Sequence, residues 1–226
     1  MLINFIIPSW HYFEDPFKLQ PYWELYYATI LREKIDNKSV ISFTDLRGKS
    51  KNNQNFTNII DQIEENDFYL YWIMKSGDAN EVYSIVKKLK QKFPKSKHIA
   101  GGTHVEMLKD ECQKIFDSII IGPGEENFYR AIINGLPVYK DSYSKIPFSN
   151  TPFPDRSFLP KTSVINNQMF KQYGNFDATM VYFSRGCFYK CAYCVYNVPN
   201  TLQSKSKLSI ENDFSYLKKN YHVKAI

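Results

Sequence analysis

Phe68-Tyr69-Leu70-Tyr71-Trp72-Ile73-Met74 is an unbroken apolar run, four of its seven residues aromatic. A strand covered by helices on both faces reads this way, because neither side of the pleat meets water and no polar alternation is needed. The residues that follow agree. Asp78 stands three positions before Glu81, the spacing of a capping box at a helix start. Val82, Ile85, Val86, Leu89 and Phe93 then recur with helical period. His98-Ile99-Ala100-Gly101-Gly102 is the next strand, running into a glycine pair. A short helix is predicted over 105–115, a strand over 117–121, and a helix carrying Phe128, Ile132 and Ile133.

The same alternation extends toward the N-terminus. Residues 2–7 read as a strand and residues 22–34 as a helix with Leu25, Tyr26, Ile30 and Leu31 apolar. Residues 39–44 form a second strand, ending in the turn at Asp45–Gly48, and Phe56, Ile59, Ile60 and Ile63 form a helical stripe. Five strands alternating with helices imply βαβ units and right-handed crossovers. The expected fold of residues 1–139 is therefore α/β, a doubly wound, Rossmann-like parallel sheet. Such sheets take ligands outside the carboxyl ends of their strands. Two glycine turns stand there, Gly101-Gly102-Thr103-His104 and Gly122-Pro123-Gly124-Glu125. Glycine in them serves either close approach of a ligand or a positive φ that the turn itself requires, and spacing leaves both readings open.

The chain has 226 residues, 43% of them hydrophobic, enough for a large core. No apolar run reaches the ~18 residues of a membrane helix. The N-terminus has neither a basic region nor a small-residue cleavage site, so it is not a secretory signal, and a cytoplasmic protein is expected. The net charge is +6, and Lys87, Lys88, Lys90, Lys92, Lys95 and Lys97 are its densest stretch. They interleave with Val86, Leu89 and Phe93 on a helix, which makes them the solvated back of an amphipathic element. Nucleic-acid binding is unsupported. Four cysteines without a secretion signal are not a disulfide framework, and Cys112, alone on a helix, reads as a structural thiol.

Residues 140–177 lack sustained periodicity and carry Pro147, Pro152, Pro154 and Pro160, with Phe148, Phe153, Phe158 and Leu159 to dock them: a linker. Residues 178–183 are predicted as a strand and 208–221 as a helix with Ile210, Phe214, Leu217 and Tyr221 in register. Residues 222–226 read as the start of another strand. A strand–loop–helix–strand piece of this size cannot close a sheet, so the second domain is expected to be incomplete in this chain.

Between that strand and helix lies Ser184-Arg185-Gly186-Cys187-Phe188-Tyr189-Lys190-Cys191-Ala192-Tyr193-Cys194, which holds three of the four cysteines. Buried free cysteines behave as small scattered hydrophobes and have no reason to cluster. Structural zinc wants four ligands, usually from two pairs, and His104, His222, Cys112 or a carboxylate would have to supply the fourth from no recognisable spacing. An iron–sulfur cubane can take one thiolate per iron and leave one iron open. Three cysteines on one loop suit that.

Cys187-x3-Cys191-x2-Cys194, with Tyr193 before the last cysteine and Ser184-Arg185-Gly186 before the first, resembles the radical S-adenosylmethionine signature. The two glycine turns resemble the cobalamin-binding domain that precedes the catalytic domain in one large subfamily of those enzymes. Pro152-Phe153-Pro154-Asp155-Arg156 resembles that subfamily's linker. The resemblance implies a division into a cobalamin-binding-like domain (1–139), a linker (140–177) and the start of a radical-SAM partial barrel (178–226). It implies that Cys187, Cys191 and Cys194 hold a [4Fe–4S] cluster whose open iron chelates S-adenosylmethionine, with Tyr193 near the adenine. One electron, from a donor such as flavodoxin or ferredoxin, would cleave the sulfonium to a 5′-deoxyadenosyl radical that attacks an unknown substrate. Gly101, Gly102, Thr103, His104, Gly122, Gly124 and Glu125 would border the cobalamin, the methyl carrier in such relatives.

Two departures qualify what it implies. No D-x-H-x-x-G motif supplies a histidine to cobalt, and His104 is not assigned that role. The family's contacts to the methionine end of S-adenosylmethionine lie on strands later than Ile226, so the chain is expected to be a C-terminally truncated, N-terminal portion of such an enzyme. A non-catalytic corrinoid-binding or partner-docking module is the alternative. A radical-SAM methylthiotransferase would need three more cysteines in its N-terminal domain, where this chain has only Cys112.

Overall fold

Six strands, β1 (Leu2–Ile7), β2 (Val40–Asp45), β3 (Phe68–Trp72), β4 (Lys97–Gly101), β5 (Ser118–Ile121) and β6 (Val138–Lys140), form one sheet in the order β2-β1-β3-β4-β5-β6. Every pairing is parallel. The computed structural model describes residues 1–49, 58–166, 168, 170–189, 191–194 and 202–226. The chain divides into two units, one of residues 1–16 and 30–141, the other of residues 17–29 and 142–226. Among the described residues no helix is long and apolar enough to cross a membrane.

The first unit is the doubly wound sheet. Its helices are α1 (Tyr22–Lys34, whose residues from Ile30 onward belong here), α2 (Ala79–Lys92), α3 (Thr103–Met107), α4 (Lys109–Cys112) and α5 (Gly124–Asn134). The alternation along β3 shows why its sequence has no polar face. Tyr69 and Tyr71 pack with Val82, Ile85, Val86 and Leu89 of α2 in one core cluster. Trp72 turns the other way, to Phe128 of α5, which also meets Phe5. Both faces are dry, as a parallel sheet requires.

Several expectations are corrected. The sheet has a sixth strand, β6, which only three residues build. Its exposed–buried–exposed pattern is too short to register as periodicity. The helix predicted over 105–115 is two short ones, α3 and α4, broken at Leu108. Asp78 sits at the N-cap of α2, but its side chain makes no cap hydrogen bond. The capping-box pair is spent elsewhere: Asp78 accepts from Tyr12 and Glu81 from Ser9. Of the stripe at 56–63, Phe56 lies outside the described residues, while 58–61 is helical and Ile60 and Ile63 are buried.

His98 is the one histidine wholly inside the sheet. Its ring stacks on Tyr69 and Tyr71, and Nδ1 faces the Tyr71 hydroxyl at 3.0 Å. Burial first, and Lys90 second, push its pKa from 6.5 down to about 4. The folded protein therefore binds fewer protons here than the unfolded chain. The stability from a neutral His98 is present above pH 6.5 and is lost as pH falls toward 4. Lowering the pH from 7.5 to 5 should cost about 2 kcal/mol at this site, roughly 1.4 kcal/mol for each unit below 6.5. Urea midpoints at the two pH values measure it. A His98→Phe variant with an undiminished pH slope would contradict the assignment.

The second unit begins with an aromatic cluster. Tyr22 and Trp23 of α1 meet Tyr182, and Tyr26 meets Phe148. The segment predicted as a linker folds here as a series of single helical turns and the short helix α6 (Lys161–Val164). The Asp155 amide donates to Thr29 at 2.8 Å, and Arg156 is buried. The strand predicted over 178–183 is reduced to one residue. Ala178 bridges Asn166 in antiparallel and Ala225 in parallel fashion. Between Ala178 and Ala225 runs α7 (Lys207–Tyr221), capped by Ser206, so the expected strand–helix–strand order survives as a narrow parallel bridge. The regular pairing lies further on: β7 (Ser184–Arg185) pairs antiparallel with β8 (Gln203–Ser204).

Candidate functional site

In the first unit the chain passes from β1 to β2 on one side and returns to β3 on the other. The sheet therefore reverses winding between β1 and β3, and crevices at such switch points are where doubly wound sheets bind ligands. The segment leaving β1 is Pro8-Ser9-Trp10-His11-Tyr12-Phe13. It is pinned from four directions. Glu81 accepts from the Ser9 amide (2.8 Å) and hydroxyl (2.5 Å), and Asp78 from the Tyr12 hydroxyl (2.9 Å). The Arg47 guanidinium, paired to Asp45 at 2.7 Å, lies over the Trp10 ring, and the Lys75 ammonium lies over Phe13 at 4.3 Å. Trp10 adopts a left-handed backbone, φ +48, which side chains of its size avoid. Tyr12 and Met74, from the loops after β1 and β3, remain about two-fifths exposed. The Lys75 ammonium also lies over the Tyr12 ring, 5.4 Å from its centre, so the loops at the switch point mix aromatic and charged groups.

The two glycine turns follow the next strands, and geometry within the sheet accounts for their glycines. A Cβ on Gly101 would fall 2.5 Å from the Trp72 ring. Gly102 has φ +104 and its Cβ would meet the Ile73 carbonyl oxygen at 2.6 Å. Gly122 has φ +95 and its Cβ would meet the Asp141 carbonyl oxygen at 2.2 Å. Thr103 points its hydroxyl toward Met74, and Gly124 and Glu125 open α5, where a carboxylate suits the helix N-terminus.

His104 is buried, and both ring nitrogens are engaged: Nδ1 with the Ser76 hydroxyl at 2.9 Å, Nε2 with the Tyr83 hydroxyl at 2.7 Å. Burial lowers its pKa. Tyr83 also reaches Cys112 at 3.4 Å, so Ser76, His104, Tyr83 and Cys112 form one hydrogen-bonded chain from the exposed turn after β3 into the core. Cys112 is thus structural, its thiol pushed up by burial.

In the second unit the cysteine loop springs from β7. Arg185 is its anchor: buried, it donates to the Gln203 side chain at 2.9 Å and the Ile146 carbonyl at 2.6 Å, and its guanidinium lies over Phe148 at 4.9 Å. Gly186 then turns the chain with φ +94. Cys187 is half-buried and accepts from the Tyr189 amide at 3.4 Å, while Cys191 and Cys194 are exposed and all three are free thiols. Phe188, Tyr189 and Tyr193 stand out into solvent, Tyr193 by 88%. Lys190 and residues 195–201 lie outside the described residues. Among the described ones no three His, Cys, Asp or Glu side chains are gathered into a metal-binding group. The donor chemistry fits a cluster, three soft thiols within eight residues on one anchored loop. The ligand geometry is not preformed, as is usual where a metal organises its own loop.

No family model matches the sequence, and no curated protein matches it. Solved structures do match. The radical S-adenosylmethionine methyltransferase TsrM from Kitasatospora setae, with cobalamin and a [4Fe–4S] cluster bound, superposes with a TM-score of 0.59 at 12% identity over 97% of this chain and 46% of its own. The same enzyme with tryptophan and a SAM analogue gives 0.57 at 12% identity, over 99% and 46%. The cobalamin-dependent S-adenosylmethionine radical enzyme OxsB, with aqua-cobalamin bound, gives 0.59 at 14% identity, over 99% and 32%. The fold is shared with these enzymes.

The chain spans less than half the length of each of them. At these identities the likeness carries the α/β architecture and its parallel sheet, and it does not assign residues. The loop Ser9–Phe13 and its carboxylate anchors escaped the sequence reading. The one available signal was Ser9-Trp10-His11-Tyr12 following a buried strand directly, a polar and aromatic turn where a short connection would have sufficed.

Proposed function

We propose that this chain is the cofactor-binding portion of a cobalamin-dependent radical-SAM enzyme, with methyl transfer or related radical chemistry as its reaction class. The observation that carries the proposal is the three-thiol loop on an anchored turn in a chain whose fold is that of two such enzymes. Residues 1–139 are proposed as the corrinoid-binding part, residues 140–177 as the segment leading out of it, and residues 178–226 as the start of the barrel. Cys187, Cys191 and Cys194 would hold the cluster, with Tyr193 beside the adenine of S-adenosylmethionine. When bound, the cluster supplies the electron that breaks the sulfonium and the corrinoid supplies a transferable methyl group.

The protein's own share is positioning. Arg185 fixes the base of the cysteine loop, and the Tyr189 amide hydrogen bond to Cys187 stabilises negative charge on that sulfur, one of the levers on cluster potential. At the sheet edge, the exposed parts of Tyr12 and Met74 would lie against the macrocycle. The glycines of the two turns keep the backbone in its place rather than opening space. Gly101, Gly102, Thr103, His104, Gly122, Gly124 and Glu125 therefore frame the proposed corrinoid site, and His104 does so with both nitrogens already committed. An electron donor of the flavodoxin or ferredoxin type would complete the system.

Anaerobic reconstitution of the full chain with iron and sulfide, followed by titration with hydroxocobalamin, tests the proposal. A broad visible shoulder from the cluster and a saturable change in the corrin bands are expected. A corrin change without a cluster would favour the corrinoid-binding module instead, and neither signal would overturn both readings.

A further inference from the structure

We infer that the cleft between edge strand β2 and the segment entering β3 is a binding site for a small amine with an apolar body. It is a separate place from the glycine turns and from the cysteine loop. The clue is Asn4, the one polar residue of β1, whose sequence is Leu2-Ile3-Asn4-Phe5-Ile6-Ile7. Asn4 is only 5% exposed. Its Nδ2 donates to the Ser42 hydroxyl at 2.8 Å, and that hydroxyl gives its single hydrogen to the Ile3 carbonyl at 3.3 Å. Ser42 thus has no hydrogen to return, which fixes the amide with its oxygen turned away from Ser42. Asn4 Oδ1 has no hydrogen-bond partner among the described residues. A buried acceptor in that state destabilises a fold. In a strand where a leucine would pack, it marks a position held for something other than stability.

The surroundings of Asn4 define the group that suits its oxygen. Asn4 lines a cavity of about 480 Å³, within the usual range for small-molecule sites. Leu2, Val40, Ile59 and Ile63 supply apolar wall. β2 stands at the edge of the sheet, and none of its residues is fully buried, in contrast to most of β1, β3 and β4. Its face is therefore open to a ligand. Glu64 and Glu65 are exposed and also line the cavity. The Glu64 carbonyl is held by the Tyr69 hydroxyl at 2.6 Å and the Asn66 side-chain amide at 3.1 Å, which keeps this acidic rim in place. The remaining charged groups, Asp45 and Lys49, belong to the carboxyl end of β2 and the turn beyond it, and Asp45 is already paired to Arg47. A buried acceptor, two carboxylates and hydrocarbon walls select a cation that carries N–H donors. An ammonium on a short apolar body has that chemistry.

Titration of the nitrogen-15-labelled full chain with 2-phenylethylamine, followed by NMR, tests the inference. Saturable shifts should appear at the amides of β1, β2 and residues 58–66, and at the Asn4 side-chain amide. 2-Phenylethanol keeps a donor without the charge and should bind about 10-fold more weakly. 3-Phenylpropionate, an anion of similar shape, should not bind. Asn4→Leu should weaken the amine by about 10-fold or more and raise the urea midpoint, because the orphaned acceptor is gone. Val40→Trp fills the cleft from an exposed position of β2. It should abolish binding with the midpoint near that of the wild type, so the test stands even where Asn4→Leu does not fold. Absence of a saturable shift with the amine would overturn the inference. Equal binding of amine and propionate, or undiminished binding to Val40→Trp, would do the same.

Discussion

Replacing Cys187, Cys191 and Cys194 together by alanine is expected to leave reconstituted protein colourless, its iron content falling from about four atoms per chain to background. Each single replacement should lose most of the iron, because a cubane held by two thiolates exposes two irons to hydrolysis. The loop makes this a clean experiment. None of the three sulfurs is packed in the core, two are exposed, and Arg185 rather than the cysteines anchors the loop to the second unit. Removing the thiols should therefore leave far-UV circular dichroism and the urea midpoint nearly unchanged. Triple-variant protein that still takes up iron and sulfide to the wild-type level would remove the basis of the proposed function. Cys112→Ala is the control, and it should keep the cluster while losing some stability from the core.

The second large effect is expected at Arg156. This residue, from the proline-rich stretch, lies with Asp213 of α7 in a buried ion pair at 3.6 Å and donates to the Met180 carbonyl at 3.0 Å. Both side chains are almost wholly removed from water, and Asp213 Oδ2 accepts no hydrogen bond among the described residues. Burial raises the Asp213 pKa from 3.8 to about 6, against the pull of Arg156 and Lys205. The folded state thus binds a proton here more readily than the unfolded chain. The associated stability is present below pH 3.8 and is lost as pH rises through about 6. At neutral pH the ionised Asp213 is tolerated because Arg156 faces it.

Arg156→Ala removes that partner and should cost about 3–5 kcal/mol. The deficit should be larger at pH 8 than at pH 5, where Asp213 can take up a proton. Adding Asp213→Asn should recover much of the loss and flatten the pH dependence. Denaturation of the two variants at both pH values decides the matter. A cost independent of pH would mean that lost packing, not a stranded charge, dominates.

What the sequence could and could not reveal follows from where each signal resides. The strands β1 and β3 to β5 were legible because each is buried on both faces over most of its length and is mostly apolar there. Short β6 was not, because three residues at a sheet edge carry no period. The cysteine loop was legible from chemistry alone, since clustered thiols have no packing explanation. Asp78 and Glu81 were misleading for an instructive reason. Their spacing matches a helix-capping pattern, but tertiary partners from the β1 loop took both carboxylates. The same long-range pairing hid the loop after β1, whose Ser9 and Tyr12 are held by carboxylates from a segment that begins after two further strands. The strand expected over 178–183 shrank to a bridge because its residues serve the aromatic cluster around Tyr182 more than a ladder. Glycine conservation of shape was also ambiguous in sequence, and only the distances to Trp72, Ile73 and Asp141 separated backbone need from ligand need.

The chain of Ser76, His104, Tyr83 and Cys112 has a directional consequence. Burial keeps His104 neutral, so it donates from one ring nitrogen and accepts at the other. The Tyr83 hydroxyl between His104 and Cys112 likewise has one hydrogen to give. Two orders run through all four groups, one pointing outward to Ser76 and one inward to Cys112, and the Glu111 carboxylate is a further acceptor within reach of the Tyr83 hydroxyl. A molecule that accepts a hydrogen bond from Ser76 selects the outward order, and one that donates to Ser76 leaves both open. The polarity of whatever rests at that turn is thereby written into the tautomer of a buried imidazole, where nitrogen chemical shifts can read it.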